Sequence, residues 1–210
     1  MRHLELVGFR PEHWGYDWPD CYAEFENKLL SVATTTEVKD GYLCNAVTIP
    51  NSLLLAGNVG TGKTVMLAIL CKALYATFSS VLGIDAGADL FAKPIKYCTH
   101  GELTKTWEHE FDDNSNLPTE DYFKTVPILF LDDLFSGQVN PSGRNIAKLE
   151  EFIDWRWSKH LRTIIATNIS LKDLWKPANK QYHRIARRLS EKKWIYYQPL
   201  THKFTKPEIH

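Results

Sequence analysis

The sequence predicts an α/β protein with three layers, in which a mainly parallel central sheet lies between helices. Short continuous apolar runs, which are typical of buried parallel strands, alternate along the chain with longer segments of helical periodicity. A glycine-rich turn joins the first of these strands directly to a helix, and two later strands end in polar residues. This alternation favours a sheet that is covered by helices on both faces.

Five segments are predicted to be strands because each is short, mostly apolar and bounded by polar or turn-forming residues. They cover residues 52–56, 95–98, 126–131, 163–166 and 194–197. In a parallel sheet the carboxyl ends of neighbouring strands meet at one edge. The polar residues that follow these strands are therefore expected to lie close together.

Helices are predicted where apolar residues recur at spacings of three and four. They cover residues 18–32, 65–78, 99–111, 145–160 and 179–189. Thr99 and Glu102 form a capping box that opens the third of them, and Ser170 with Asp173 opens a further short helix. The first 16 residues are predicted to be an irregular arm, and residues 79–94 an irregular insert.

Length and composition exclude several classes of protein. The 210 residues, 44% hydrophobic and 24% charged, fit one globular domain with a short appendage rather than a disordered chain. The longest apolar runs are far shorter than the roughly 20 residues that cross a bilayer. The N-terminus has no apolar segment of the kind found in signal peptides and carries Glu5. We therefore expect neither membrane insertion nor secretion.

The net charge is zero, but the charges are unevenly distributed. Residues 141–210 hold 15 Lys and Arg against 6 Asp and Glu, whereas residues 1–140 hold 10 against 19. A basic C-terminal third suggests a surface for a polyanion, or complementary faces that stack copies of the chain. The alternative is that the two parts neutralise one another within a single fold.

The four cysteines predict free thiols rather than a metal site or a disulfide framework. Cys21, Cys44, Cys71 and Cys98 are separated by more than 20 residues each, and no pair has the close spacing of a zinc site. Cys71 and Cys98 also lie in apolar segments that we expect to be buried. This usage fits a reducing cytoplasm.

A glycine-rich loop between the first strand and the following helix predicts a nucleoside triphosphate site. The loop matches the pattern G-x-x-x-x-G-K-[ST] at every fixed position. Its residues are Gly57, Asn58, Val59, Gly60, Thr61, Gly62, Lys63 and Thr64. The glycines let successive backbone N–H groups point at phosphate oxygens, and the helix N-terminus adds positive potential. Lys63 is expected at the β- and γ-phosphates of ATP, and the Thr64 hydroxyl at Mg²⁺.

Two carboxylates follow the third strand and suggest the other half of a metal site. Asp132 is predicted to lie on the Mg²⁺ side, and Asp133 to orient or deprotonate the attacking water as a general base. Asp133 has an alternative role as the cap of the following turn. Asn168, after the fourth strand, is predicted to hydrogen-bond the γ-phosphate or the water, although alone it is an ordinary turn residue.

These segments together resemble the DnaC/IstB-like group of AAA+ ATPases, which comprises bacterial and phage helicase loaders and transposition helpers. The resemblance covers about residues 41–200. It depends on the phosphate loop and on L-F-L-D-D-L (129–134), T-I-I-A-T-N-I-S (163–170), Y-C-T-H-G-E-L (97–103) and R-I-A-R-R-L (184–189). It implies a P-loop NTPase fold, an AAA+ core over residues 41–210, and a separate arm and helix over 1–40. Because one strand and a short tail follow Leu189, it also implies a core without the C-terminal helical lid.

By the same resemblance the family's arginine finger falls on Arg188, with Arg184 as a second position of the pattern. Such a finger acts on the nucleotide of a neighbouring subunit, which implies self-association through the ATP site. Their spacing places both arginines on one helix face, where a cation delivered in trans stabilises transition-state charge. The alternatives are a solvated basic face or contacts to DNA phosphates.

The function that the resemblance implies is ATP-dependent loading of a hexameric DnaB-type replicative helicase on single-stranded DNA, in the cytoplasm of a bacterium or a phage-infected host. Alternatives are a transposition helper, or a nucleotide-gated interaction module that hydrolyses little ATP. A small-molecule kinase is disfavoured by the paired aspartates.

Four N-terminal aromatics are expected either to anchor the partner or to pack on the core: Phe9, Trp14, Tyr16 and Trp18. Possible DNA contacts are Lys148, Arg156, Lys159 and Arg162.

Overall fold

A computed structural model describes residues 2–14, 52–82, 95–109, 118–135, 143–190 and 194–197. Helices and strands are numbered along these residues. The elements in chain order are α1 (Arg2–Val7), β1 (Ser52–Ala56), α2 (Lys63–Leu82), β2 (Ile95–Thr99), α3 (His100–Glu108), α4 (Glu120–Lys124), β3 (Ile128–Leu134), α5 (Gly143–Ser158), β4 (Arg162–Thr167), α6 (Leu171–Leu174), α7 (His183–Leu189) and β5 (Trp194–Tyr197). Short 3₁₀ turns occupy Pro11–His13 and Pro177–Tyr182.

The five strands form one sheet in the order β2-β3-β4-β1-β5, and every pair is parallel. Ile165 of β4 is aligned with Leu54 of β1 on one side and with Leu131 of β3 on the other. The carboxyl ends of β1, β3 and β4 therefore meet at one edge of the sheet. The predicted three-layer α/β fold with a parallel sheet is confirmed.

Two apolar cores lie on the opposite faces of this sheet, as the alternation of side chains along a strand requires. Leu53 and Leu55 of β1 belong to the core that α1 and α2 cover, whereas Leu54 belongs to the core beneath α3, α5 and α7. All three leucines are at most 1% exposed. Burial on both faces explains why β1 is continuously apolar rather than alternating.

The described helices after β1 follow the predicted pattern with shifted ends and one addition. Helix α2 begins at Lys63 and continues to Leu82, so the first residues of the predicted insert are helical. The capping box of α3 is formed as predicted: Glu102 N–H donates to Thr99 Oγ1 at 3.1 Å, and Thr99 N–H donates to Glu102 Oε2 at 2.7 Å. Helix α4 was not predicted, because its five residues are too few to show a period.

The N-terminal arm is not irregular as predicted, since it contains α1 and a defined C-cap. The N–H of Gly8 donates to Glu5 O at 2.9 Å, and the N–H of Phe9 donates to Leu4 O at 2.9 Å, which is the Schellman arrangement. Gly8 has φ of +113°, which is a backbone conformation that favours glycine. The spacing of Leu4 and Val7 before this glycine is the signal that could have predicted the helix.

Phe9 lies in the core, where it is 2% exposed, and Trp14 is half-buried with its indole N–H donating to Phe9 O at 3.1 Å. Of the two alternatives for these aromatics, packing on the core is the one observed. Tyr16, Trp18, the predicted helix over 18–32, and the boundary at residue 40 lie outside the described residues. The same holds for residues 83–94 of the insert and for the tail after β5, so the absence of a lid stays a prediction.

Cys71 and Cys98 are buried free thiols, as predicted, and burial raises the pKa of both. Cys21 and Cys44 lie outside the described residues. None of the helices in the described ranges is both long enough and apolar enough to cross a membrane.

Candidate nucleotide site

The glycine-rich loop connects β1 to α2 at the edge where β1, β3 and β4 end. Gly60 and Gly62 have φ of +82° and +78°, so the loop turns through conformations that side-chain-bearing residues rarely adopt. Helix α2 begins directly at Lys63, which places its N-terminal N–H groups at the loop. The start of the loop is tied to the sheet, because Gly57 N–H donates to Thr167 O of β4 at 3.1 Å.

Lys63 turns back into the loop and is 6% exposed. Its ammonium group donates to the carbonyl oxygens of Gly57 and Asn58, each at 2.8 Å. Burial lowers the pKa of Lys63, and the nearby carboxylates of Asp132 and Asp133 act in the opposite direction. The ammonium therefore forms a positive centre inside the loop, opposite two acids.

Asp132 lies at the end of β3 and is 1% exposed. Its Oδ1 accepts the N–H of Asp133 at 2.8 Å, and its Oδ2 accepts the Tyr97 hydroxyl at 3.1 Å. Thr64, the last residue of the loop, also hydrogen-bonds this carboxylate. Burial raises the pKa of Asp132, while these hydrogen bonds favour the charged form. The predicted proximity of Thr64 and Asp132 is therefore present.

This donor set fits Mg²⁺. The ion prefers oxygen ligands, usually keeps several waters, and is held in nucleotide sites by one or two protein groups together with phosphates. The hydroxyl of Thr64 and the carboxylate of Asp132 supply such oxygens side by side. A carboxylate whose charge is penalised by burial is stabilised by a nearby divalent cation.

Asp133 differs sharply from its neighbour, since it is exposed and has φ of +54°. The cause is a β-bulge: Leu131 is aligned with Ile165 of β4, but the next aligned pair is Leu134 with Thr167. The extra residue in β3 changes the direction of the Asp133 side chain relative to a regular strand. Asp133 remains close enough to Lys63 to interact with it electrostatically.

Two residues that contact the site were not among the predicted site residues. Tyr97 of β2 donates a hydrogen bond to Asp132. The pKa of Tyr97 is raised mainly by burial and also by the nearby Asp132 charge, so the phenol stays protonated. Thr167 is fully buried, and its hydroxyl donates to Leu134 O at 2.8 Å and accepts the Ile169 N–H at 3.1 Å. The sequence signal for Thr167 is a polar residue at the end of β4, whereas Tyr97 lies in the middle of β2, where no sequence signal points to the site. Asn168 follows Thr167 directly, beside the start of the loop.

The two arginines of α7 point at α5 of the same chain. Arg184 Nε lies 2.9 Å from Glu150 Oε1, and Arg188 pairs with Asp154 and lies over the Trp157 ring at 4.8 Å from its centroid. Their side chains are 83% and 24% exposed, respectively. Their predicted action on a neighbouring subunit's nucleotide stays a prediction.

The prediction that Arg156 is a possible DNA contact is wrong. Arg156 is 1% exposed, and its guanidinium donates to the carbonyl oxygens of Phe123, Lys124 and Val126, each at 2.9 Å. It is an internal cross-link between α5 and the segment that enters β3. Arg156 cannot contact DNA without unfolding this region, and nothing in the sequence pattern distinguished it from the solvated basic residues around it.

Comparisons with known proteins agree with this geometry. The model of the family described as ATPase family associated with various cellular activities (AAA) matches residues 53–192. No curated protein sequence matches the chain. The structure is similar to the DnaC helicase loader, with a TM-score of 0.58 and 17% identity over 95% of this chain and 99% of that one.

Two further solved structures are similar. DnaI gives a TM-score of 0.58 at 17% identity, over 97% of this chain and 99% of that one. AMPPCP-bound DnaA from Aquifex aeolicus gives 0.55 at 13% identity, over 92% of this chain and 51% of that one. Because the family model covers well over half of the chain, and because the loop and the buried aspartate meet at the sheet edge, the chain belongs to the AAA family of ATPases and has the fold of DnaC and DnaI.

Proposed function

We propose that the protein is a Mg²⁺-dependent ATPase whose site is the loop over residues 57–64 together with the ends of β3 and β4. The Lys63 ammonium exchanges its loop carbonyl partners for the β- and γ-phosphate oxygens of ATP. Thr64 and Asp132 hold Mg²⁺, which when bound neutralises charge on the phosphates. The contact between Thr64 and Asp132 carries this proposal, because it joins the two halves of the site.

In the proposed reaction Asp133 accepts a proton from the attacking water, and Asn168 hydrogen-bonds the γ-phosphate or that water. The bulge in β3 supports the first role, because it separates an exposed Asp133 from a buried Asp132. A base must reach the water, whereas the charge of a buried carboxylate is stabilised by a divalent cation beside it.

The hydrolysis that we propose takes place in an assembly of several copies. Neither arginine of α7 is directed at its own loop, since both pair with α5 of the same chain. Arg188, or Arg184 beside it, is proposed to act on the nucleotide of the neighbouring copy. An arginine supplied in this way stabilises the charge that develops during phosphoryl transfer.

The biological role that we propose is loading of a hexameric DnaB-type helicase on single-stranded DNA. The support is a structural likeness to the DnaC helicase loader that extends over almost the full length of both chains. Docking of the helicase is assigned to residues 1–40. Phe9 is removed from the possible anchors because it is buried in the core.

The test is the mass of a mixture of the protein with the cognate replicative helicase, measured with ATP and without it. We expect a defined complex with several copies for each helicase hexamer. Lys63→Ala should weaken that complex if ATP promotes it. Lys105→Ala is the matched control, because it removes an exposed lysine of α3 outside the loop.

Two results would overturn the loader proposal. No complex under any condition, together with ATP-dependent filaments on duplex DNA, would favour the transposition helper instead. A complex that forms equally with Lys63→Ala and without ATP, combined with no hydrolysis, would favour an interaction module.

A further inference from the structure

Tyr97 hydrogen-bonds the Asp132 carboxylate from the side of β2, in addition to the Thr64 hydroxyl of the loop. The phenol donates to Oδ2 at 3.1 Å while the N–H of Asp133 donates to Oδ1 at 2.8 Å, so each carboxylate oxygen has its own donor. A carboxylate held at both oxygens has little freedom to rotate. Hydrogen-bond partners of this kind orient metal ligands, and their loss weakens metal binding by about 10- to 100-fold.

Tyr97 is itself held by the N-terminal arm. The Phe9 ring lies 4.3 Å from the Tyr97 ring, centroid to centroid, and it meets Phe130 of β3 edge to face at 5.5 Å. Phe130 precedes Asp132 by two residues and lies on the same face of the sheet. Phe9 therefore contacts both Tyr97, which hydrogen-bonds Asp132, and Phe130, which lies two residues before Asp132 in β3.

The position of Phe9 is determined by the backbone of the arm. A Cβ at Gly8 would lie 3.2 Å from the Tyr97 carbonyl oxygen, so the turn after α1 passes directly against β2. Leu4 and Val7 anchor α1 in the same core, at 0% and 2% exposure. The arm is thus a fixed part of the layer that covers β2 and β3, and its Phe9 side chain contacts Tyr97.

We propose that Tyr97 is a positioning residue that orients Asp132 toward Mg²⁺, and that the arm holds Tyr97 through Phe9. This inference rests on the proposed assignment of Asp132 to the metal. It makes the affinity for Mg²⁺ depend on the N-terminal arm, which is part of the segment, residues 1–40, that is proposed to dock the helicase.

The experiment measures binding of a fluorescent ATP analogue to the full-length protein while Mg²⁺ is titrated. Tyr97→Phe removes only the hydroxyl, and we expect the apparent affinity for Mg²⁺ to fall by about 10-fold. Binding of the analogue without Mg²⁺ should be unchanged, which a general loss of structure would not produce. Tyr122→Phe is the control, because Tyr122 is exposed on α4. A Tyr97→Phe protein with the wild-type Mg²⁺ dependence would overturn the inference.

A second variant tests the role of the arm. Phe9→Leu keeps the core apolar but removes the ring contact with Tyr97, and it should weaken Mg²⁺ binding at least about twofold. Because Phe9 acts through the Tyr97 hydroxyl, the same change should have no further effect in the Tyr97→Phe background. Equal effects in both backgrounds, or no effect in either, would refute the link between the arm and Asp132.

Two reference variants separate this inference from the proposed function. If Lys63→Ala binds the analogue normally, or if Asp132→Asn keeps the wild-type Mg²⁺ dependence, the assignment of the site itself fails. If both variants lose binding or Mg²⁺ dependence while Tyr97→Phe does not, the site stands and the role of Tyr97 is refuted.

Discussion

Arg188 of α7 and Asp154 of α5 form a hydrogen-bonded ion pair, and the same guanidinium lies over the ring of Trp157. One helical turn earlier, Arg184 pairs with Glu150 but stays largely exposed. The two arginines therefore lie on one face of α7 with different attachments to α5. To act on a neighbouring subunit, Arg188 must break its ion pair with Asp154 and its contact with the Trp157 ring, whereas the largely exposed Arg184 must break its ion pair with Glu150.

Alanine substitutions should separate the structural from the catalytic roles of these arginines. Arg188→Ala should lower the free energy of unfolding by about 1 kcal/mol, because it removes a half-buried ion pair and a cation–π contact. Arg184→Ala should leave it unchanged within error. Urea denaturation measures both, and equal stability of the two variants would contradict the difference seen between their contacts.

Mixing inactive variants tests whether an arginine acts between subunits. Arg188→Ala and Asp133→Asn should each hydrolyse ATP poorly alone, whereas a mixture should regain part of the activity at interfaces that combine the intact groups. A mixture as inactive as its components would exclude action of Arg188 between copies. Repeating the mixture with Arg184→Ala identifies which of the two arginines is the finger.

Asp133→Asn should reduce hydrolysis by about 100-fold or more while ATP binding stays near the wild-type value. Asparagine is the clean substitution because Asp133 has φ of +54°, which asparagine tolerates and alanine does not. Phosphate release and analogue binding are the two measurements. Asp121→Asn is the control, because Asp121 is an exposed residue of α4, before β3 begins. Hydrolysis at the wild-type rate by Asp133→Asn would assign this residue to the turn rather than to catalysis.

Arg156→Ala should destabilise the protein by about 3 kcal/mol or more. The change leaves the carbonyl oxygens of Phe123, Lys124 and Val126 without the donor that they share, and it opens a cavity beneath α5. Arg144→Ala, at an exposed position of the same helix, should have little effect. Thermal or urea unfolding compares the two, and a stable Arg156→Ala protein would contradict the assigned structural role.

His100 should make the protein less stable in mild acid. Burial lowers its pKa from 6.5 to about 4, and neither ring nitrogen has a hydrogen-bond partner among the described residues. The unfolded chain therefore binds the proton more readily than the folded one between pH 6.5 and 4. As the pH falls through this window, about 3 kcal/mol of stability is lost from this group.

The measurement is the free energy of unfolding from pH 7 to pH 4 for the wild type and for His100→Leu. Burial raises the pKa of Asp132, so this group stabilises the folded state as the pH falls, which opposes the effect of His100. The difference between the wild-type and His100→Leu free energies of unfolding cancels the contribution of Asp132. His109→Gln, at an exposed position, is the control. An unchanged pH dependence in His100→Leu would show that His100 does not cause the loss.

Local sequence patterns were enough to predict the parallel sheet, the phosphate loop and the capping box of α3. In each case the signal is local: a continuous apolar run marks a strand buried on both faces, and glycines at fixed spacing mark a loop that only they can form. Thr99 and Glu102 satisfy one another across three residues, so their pairing needs no distant partner.

The local patterns did not predict which polar groups face one another, because that depends on contacts between distant parts of the chain. Asp132 and Asp133 are adjacent in the sequence, yet with the bulge in β3 against β4 Asp132 is buried and Asp133 is exposed. Arg156 has the same charge as its solvated neighbours, but the start of β3 surrounds it with carbonyl oxygens. Contacts such as that between Tyr97 and Asp132 join residues 35 positions apart, and chain folding alone brings them within hydrogen-bond distance.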